Sequence, residues 1–305
     1  MSTLIARRTR LSSASRNDAP THLAALTAIL TLAAVTLTAQ TPATQTPGRL
    51  RIAAGGTLAP TAITGVPRVA SRGQGGLLHV AVDPAFATNS FIYLYLSYTE
   101  LADSQPPAGT RDRGDLRFGN FIDSLDAELK GGAVARARLD GTTLRVVQVI
   151  WRQLPRMIGR GHTGGRLVFG ADGTLVITSG DRMRFDPAPD SSSNIGKVVR
   201  TNSDGTIPAD KPFANRQFTA RDVFSTGSRN AIGVALNPTT GQLWINEMGP
   251  AGGDEINFVE AGRNHGWPRV SNGDNWDGSA IPDHVRDSTL AKPVTSWTLS
   301  ISPSV

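Results

Sequence analysis

The chain has 305 residues, 39% of them hydrophobic, with 32 glycines, 19 prolines and no cysteine; that is enough apolar material for a sizeable core, which excludes disorder as the default state and a disulfide scaffold. The formal charge is +6, but residues 1–39 hold four arginines and one aspartate, which leaves +3 for the rest. No basic stripe interleaved with aromatics is present, so nucleic acid is excluded as a partner.

In chain order, Arg7, Arg8, Arg10 and Arg16 precede the uncharged run LAALTAILTLAAVTLT at 23–38. A basic head followed by a short apolar body predicts an export signal over 1–39, and so a periplasmic or secreted protein. The alternative is an uncleaved anchor, for which the run falls short of the roughly 20 residues a span needs. A Thr/Pro-rich linker is expected over 40–48. No later run is long enough to cross a bilayer, so no membrane span is expected in the mature protein.

From 49 onward one phrase recurs: a few β-branched or apolar residues, a turn, then another strand. It reads HVAVDPAFATNSFIYLYLSY, VARARLDGTTLRVVQVIW, GRLVFGADGTLVITSGD, GKVVRTNSDGTIP and GVALNPTTGQLWINEMG. Asp-Gly and Pro-Thr-Thr-Gly suit hairpin turns. The turn anchors Asp83, Asp140, Asp172, Asp204 and Pro238 are 57, 32, 32 and 34 residues apart. Quasi-periodic hairpins predict an all-β protein with radially repeated sheets, a β-propeller, over a sandwich. Residues 101–130 and 262–292 break the rhythm and are expected to be long loops over one end of the repeat.

Several residues at strand ends could carry chemistry. His162, in GRGHTGG, sits where glycines let backbone approach a ligand; a near-neutral imidazole there is either a general base or an ordinary loop histidine. Asp181, at the far end of the following strand pair, could fix the imidazole's tautomer or simply cap a turn. Arg229 and Asn230 precede another strand, and a guanidinium there suits an anionic ligand, developing negative charge or a salt bridge between blades. In NEMGPAGGDE, the backbone carbonyls of an irregular turn could bind calcium, while Glu247, Asp254 and Glu255 could hold a cation or pair with arginines. Gln74 could hydrogen-bond a sugar hydroxyl or cap its own turn.

The phrases RGQGGLLHVAVDPAFATNSFIYLYLSY, GHTGGRLVFGADGTLVITSGD, IGKVVRTNSDGTIPADKPF, SRNAIGVALNPTTGQLWINEMGPAGGDEIN, AGRNHGWP and SWTLSISPS run in order from about residue 50 to the last residue. Together they resemble the soluble PQQ-dependent aldose sugar dehydrogenases, the glucose/sorbosone dehydrogenase family of six-bladed propellers. The resemblance implies that His162 takes the proton of an aldose's anomeric hydroxyl while hydride passes to PQQ, with an electron acceptor of unknown identity downstream. It further implies that Asp181 orients His162, that Arg229, Asn230 and Met248 border the cofactor, and that Gln74 touches the sugar. The Gly249 and Pro250 carbonyls would bind Ca2+.

The chain departs from the family at Ser228, Met248 and His79. The resemblance also implies one or two further blades beyond the last residue, bearing basic residues for the PQQ carboxylates, so 49–305 is expected to be a partial propeller. A lactonase-like propeller hydrolase with a carboxylate-lined metal is the rival enzyme reading, and a non-catalytic binding propeller is the third.

Overall fold

The computed structural model describes residues 48–298 apart from 72, 99–128, 160, 211 and 214–219. The expected export signal over 1–39, nearly all of the linker over 40–48 and almost the whole loop expected at 101–130 lie outside the described residues. Those described fall within one compact unit, 31–305.

Three antiparallel sheets, each with four main strands, follow one another along the chain; the short Met157–Ile158 strand adds a fifth to the first. The first contains β1 (Leu77–Val82), β2 (Phe91–Tyr98), β3 (Leu129–Asp140) and β4 (Thr143–Arg152). The second contains β5 (Gly164–Phe169), β6 (Leu175–Ser179), β7 (Lys197–Thr201) and β8 (Val223–Thr226). The third contains β9 (Ala231–Leu236), β10 (Leu243–Glu247), β11 (Asp254–Val259) and β12 (Thr295–Trp297). Strand order is sequential in each, and β5 lies between β1 and β9, so the first strands of successive sheets are neighbours. This is the blade stacking of a β-propeller, as the hairpin spacing predicts.

The cores lie between blades, which explains why central strands read as continuous apolar runs. In FIYLYLSY of β2, the period of two sends Ile92, Leu94 and Leu96 to one face, while Tyr93 and Tyr95 pack with Leu167, Ile177 and Val199 of the second blade. Val176 and Val198 meet Ala231, Ile245 and Val259 between the second and third blades. His79, on β1, joins two blades: its Nδ1 accepts the N–H of Leu167 at 3.2 Å. Burial, with the charge of Arg166, lowers its pKa to about 4, so the ring stays a neutral acceptor.

The turn anchors fall in turns, and Asp83, Asp172 and Asp204 each accept a backbone N–H two residues on. Two differ from simple hairpins. A one-turn helix, Phe86–Asn89, interrupts the Asp83 connection, and the Asp204 turn lies within the long link from β7 to β8. The 262–292 loop is almost strandless as expected; Gly273–Asp274 pins it to Ala251–Gly252. Among the described residues no helix is long and apolar enough to cross a membrane.

Candidate active site

An antiparallel meander places the start of its first strand and the link between its second and third strands at the same end of the blade. Gln74 precedes β1, His162 precedes β5, and Arg229–Asn230 precede β9; Asp181 follows β6, and Met248–Gly253 follow β10. Topology alone therefore gathers all the candidate residues at one end of three blades.

His162 and Asp181 meet there. Nδ1 of His162 is 2.7 Å from Oδ1 of Asp181, and both side chains are buried, at 3% and 0% exposed. A carboxylate oxygen accepts, so Nδ1 carries the proton and Nε2 presents the lone pair. His162 adopts φ 47°, and Arg182 and Met183 follow Asp181 at φ 57° each, so non-glycine residues in the left-handed region flank the pair. Each such residue costs on the order of 1 kcal/mol, strain of the kind that collects at functional sites. The backbone is held from several sides: Gln74 Oε1 accepts the His162 N–H at 2.7 Å, and Arg182 N–H donates to the His162 carbonyl at 3.2 Å. The buried Arg182 guanidinium donates to the carbonyls of Gly161 and Gly159 at 2.9 and 2.8 Å. Burial, then the charge of Arg229, lowers the His162 pKa, which keeps the imidazole in its basic form at neutral pH.

Arg229 is buried beside this pair. Its carbonyl accepts the Asp181 N–H at 2.7 Å, its Nη1 donates to the Met248 carbonyl at 2.7 Å, and its own N–H donates to Glu247 Oε2 at 2.6 Å. Burial lowers its pKa to about 10, still cationic at neutral pH. Asn230 Oδ1 accepts the Gly164 N–H at 3.1 Å, tying the β9 entry to the β5 entry. Arg229, Met248, Gly249, Pro250, Trp267 and His265 line one cavity.

A buried cation on the wall of a cavity suits a planar, polyanionic ligand, so the residues present fit PQQ. For calcium the donor set is the test. A Cβ at Gly249 would overlap the Gly252 and Gly253 backbone, so the turn is packed main chain on main chain. Asp254 Oδ1 accepts the Gly249 N–H at 2.7 Å. Among the described residues no group of three or more acidic or histidine side chains is placed to hold a metal. A cation at this turn would be held by carbonyl oxygens, which suit hard Ca2+. Of the carboxylates a lactonase-like centre would draw on, Glu247 and Asp254 each turn one oxygen, Oε2 and Oδ1, to a backbone amide.

The sequence patterns did not single out Trp267 or Arg182. Trp267 Nε1 donates to Asp181 Oδ2 at 2.8 Å, and the Arg229 guanidinium carbon lies 5.2 Å from the indole ring centre. The Trp-Pro step in AGRNHGWP was the available signal, since a large aromatic in a polar loop must find cover.

Stacked antiparallel blades with a buried histidine–carboxylate pair and an arginine-walled cavity at one end define a β-propeller with a polar site at the blade ends. The family model for glucose/sorbosone dehydrogenases matches residues 33–305, and the chain belongs to that family. It is 37% identical over 237 residues to the aldose sugar dehydrogenase YliI of Escherichia coli, covering 77% of this chain and 58% of that protein. It thus spans under two thirds of that relative's length. The apo crystal structure of the soluble aldose sugar dehydrogenase from Escherichia coli superposes with a TM-score of 0.71 at 33% identity, over 82% of this chain and 66% of that one. The PQQ-bound aldose sugar dehydrogenase from Streptomyces coelicolor gives 0.59 at 25% identity, over 82% and 65%.

Proposed function

We propose that this protein is an exported, PQQ- and Ca2+-dependent dehydrogenase that oxidises the anomeric hydroxyl of an aldose to the lactone. The observation that carries the reading is the 2.7 Å contact between buried His162 and Asp181, beside the buried guanidinium of Arg229. Asp181 holds the Nδ1–H, so His162 Nε2 receives the hydroxyl proton as hydride leaves the anomeric carbon and the ring carbonyl forms. When bound, PQQ supplies the two-electron acceptor for that hydride. Arg229 and Asn230 would hold the anionic cofactor, and the Gly249 and Pro250 carbonyls would hold the cation. Gln74 offers its Nε2 amide to the sugar. A separate electron acceptor of unknown identity would take up the two electrons.

The test is dye-linked aldose oxidation by the purified protein supplied with PQQ and Ca2+. The expected result is turnover that His162→Ala lowers by roughly 100- to 10,000-fold. Turnover unaffected by that substitution, or lactone hydrolysis without PQQ, overturns the proposal.

A further inference from the structure

The geometry points to Trp267 as the positioning residue that locks the His162–Asp181 pair and Arg229 into one arrangement. This rests on the function proposed above but is read from contacts that function did not use.

Asp181 receives three N–H donors. Oδ1 takes the ring N–H of His162 at 2.7 Å and the backbone N–H of Met183 at 2.9 Å, and Oδ2 takes the indole N–H of Trp267 at 2.8 Å. Without the indole bond, only the Met183 N–H would hold the carboxylate beside the imidazole, on Oδ1, and the buried Oδ2 would lose its donor. With it, both oxygens are assigned and the imidazole has one partner direction.

The indole is itself fixed. It is 4% exposed, packs on Phe185 with ring centres 5.0 Å apart, and its backbone N–H donates to the Gly227 carbonyl at 3.0 Å. Its face lies 5.2 Å from the Arg229 guanidinium carbon, within cation–π range. One rigid ring therefore touches the carboxylate that orients the base and the cation that walls the cavity.

Trp267→Phe keeps an aromatic face and removes the indole N–H; Trp267→Leu removes both. The readout independent of turnover is the 15N spectrum of His162 in the protein without cofactor. The unmodified protein should show one sharp Nδ1–H resonance, Trp267→Phe the same tautomer with that resonance shifted and broadened, and Trp267→Phe added to Asp181→Ala no further change. In the dye assay, Trp267→Phe should lower kcat roughly 10- to 100-fold with little change in KM for the sugar, and Trp267→Leu should also weaken PQQ binding. An unchanged His162 spectrum in a folded Trp267→Phe protein overturns the proposal. Should that variant fail to fold, Asp181→Ala decides the matter, since the Trp267 indole proton resonance must then move, and a stationary one refutes the inference. A protein that turns over no sugar but shows these spectral changes fails the dehydrogenase reading alone.

Discussion

Gln74 Oε1 accepts the main-chain N–H of His162 at 2.7 Å, across 88 positions of sequence, and its carbonyl accepts the Thr163 hydroxyl at 3.1 Å. The first blade thus holds the backbone of the histidine in the second. Gln74→Leu should lower kcat for dye-linked oxidation about tenfold, because a misplaced imidazole loses proton-transfer geometry. Gln74→Glu, which retains an acceptor, should recover most of it. If Gln74→Leu raises only the KM for sugar, the residue acts on substrate and not through His162.

Gly180 stands where the two loops cross. A Cβ there would overlap the His162 carbonyl oxygen and approach the Gly164 nitrogen at 2.8 Å, both backbone atoms that cannot swing away. Gly180→Ala should destabilise the fold by about 1–3 kcal/mol in urea titration and remove turnover together with it. A stable variant with normal activity would mean the crossing is looser than drawn.

Calcium alone should matter little. The turn offers carbonyl donors from Gly249 and Pro250, whereas Ca2+ takes about 6–8 oxygens, so most must come from water or a bound ligand. Ca2+ without PQQ should leave the melting temperature within about 1 °C of the metal-free value, and the two together should raise it through linkage. A large shift from Ca2+ alone would indicate a complete protein site elsewhere.

The hairpin spacing made the blades legible because strand pairs carry their own turn chemistry, as Asp172 shows between β5 and β6. His162 and Asp181 were legible as a pair because one hairpin separates them. The side-chain oxygen of Gln74, whose amide N–H is proposed to meet the sugar, accepts the His162 backbone N–H, a relation across blades that no local pattern encodes. Trp267 was missed for the same reason: its partner lies 86 residues away. Glu247 and Asp254, open to a cation reading in sequence, satisfy backbone donors of the loops they support. Resemblance supplied the cofactor, which spacing alone could not.

Glu255 carries the last prediction, on pH. Its Oε2 accepts the Asn257 side-chain N–H at 3.1 Å, and its Oε1 lies 3.7 Å from Nδ1 of His284. His284 Nε2 is 3.0 Å from the carbonyl of His265, which can only accept, so Nε2 holds the proton of a neutral ring and Nδ1 faces Glu255 bare. Two acceptors face one another unless Glu255 is protonated, and burial, reinforced by the charge of Glu247, raises its pKa to about 8 from an ordinary 4.5. The unfolded chain gives up this proton near its ordinary pKa while the folded chain keeps it, so stability falls as pH rises from 4.5 towards 8 and levels off above that. Glu255→Gln reproduces the protonated acid, with an oxygen for Asn257 and an N–H towards His284. It should leave the melting temperature unchanged near about pH 4 and raise it near about pH 8.5, at roughly 2–4 °C per kcal/mol recovered. A variant that destabilises equally at both values would show that Glu255 is ionised in the folded protein.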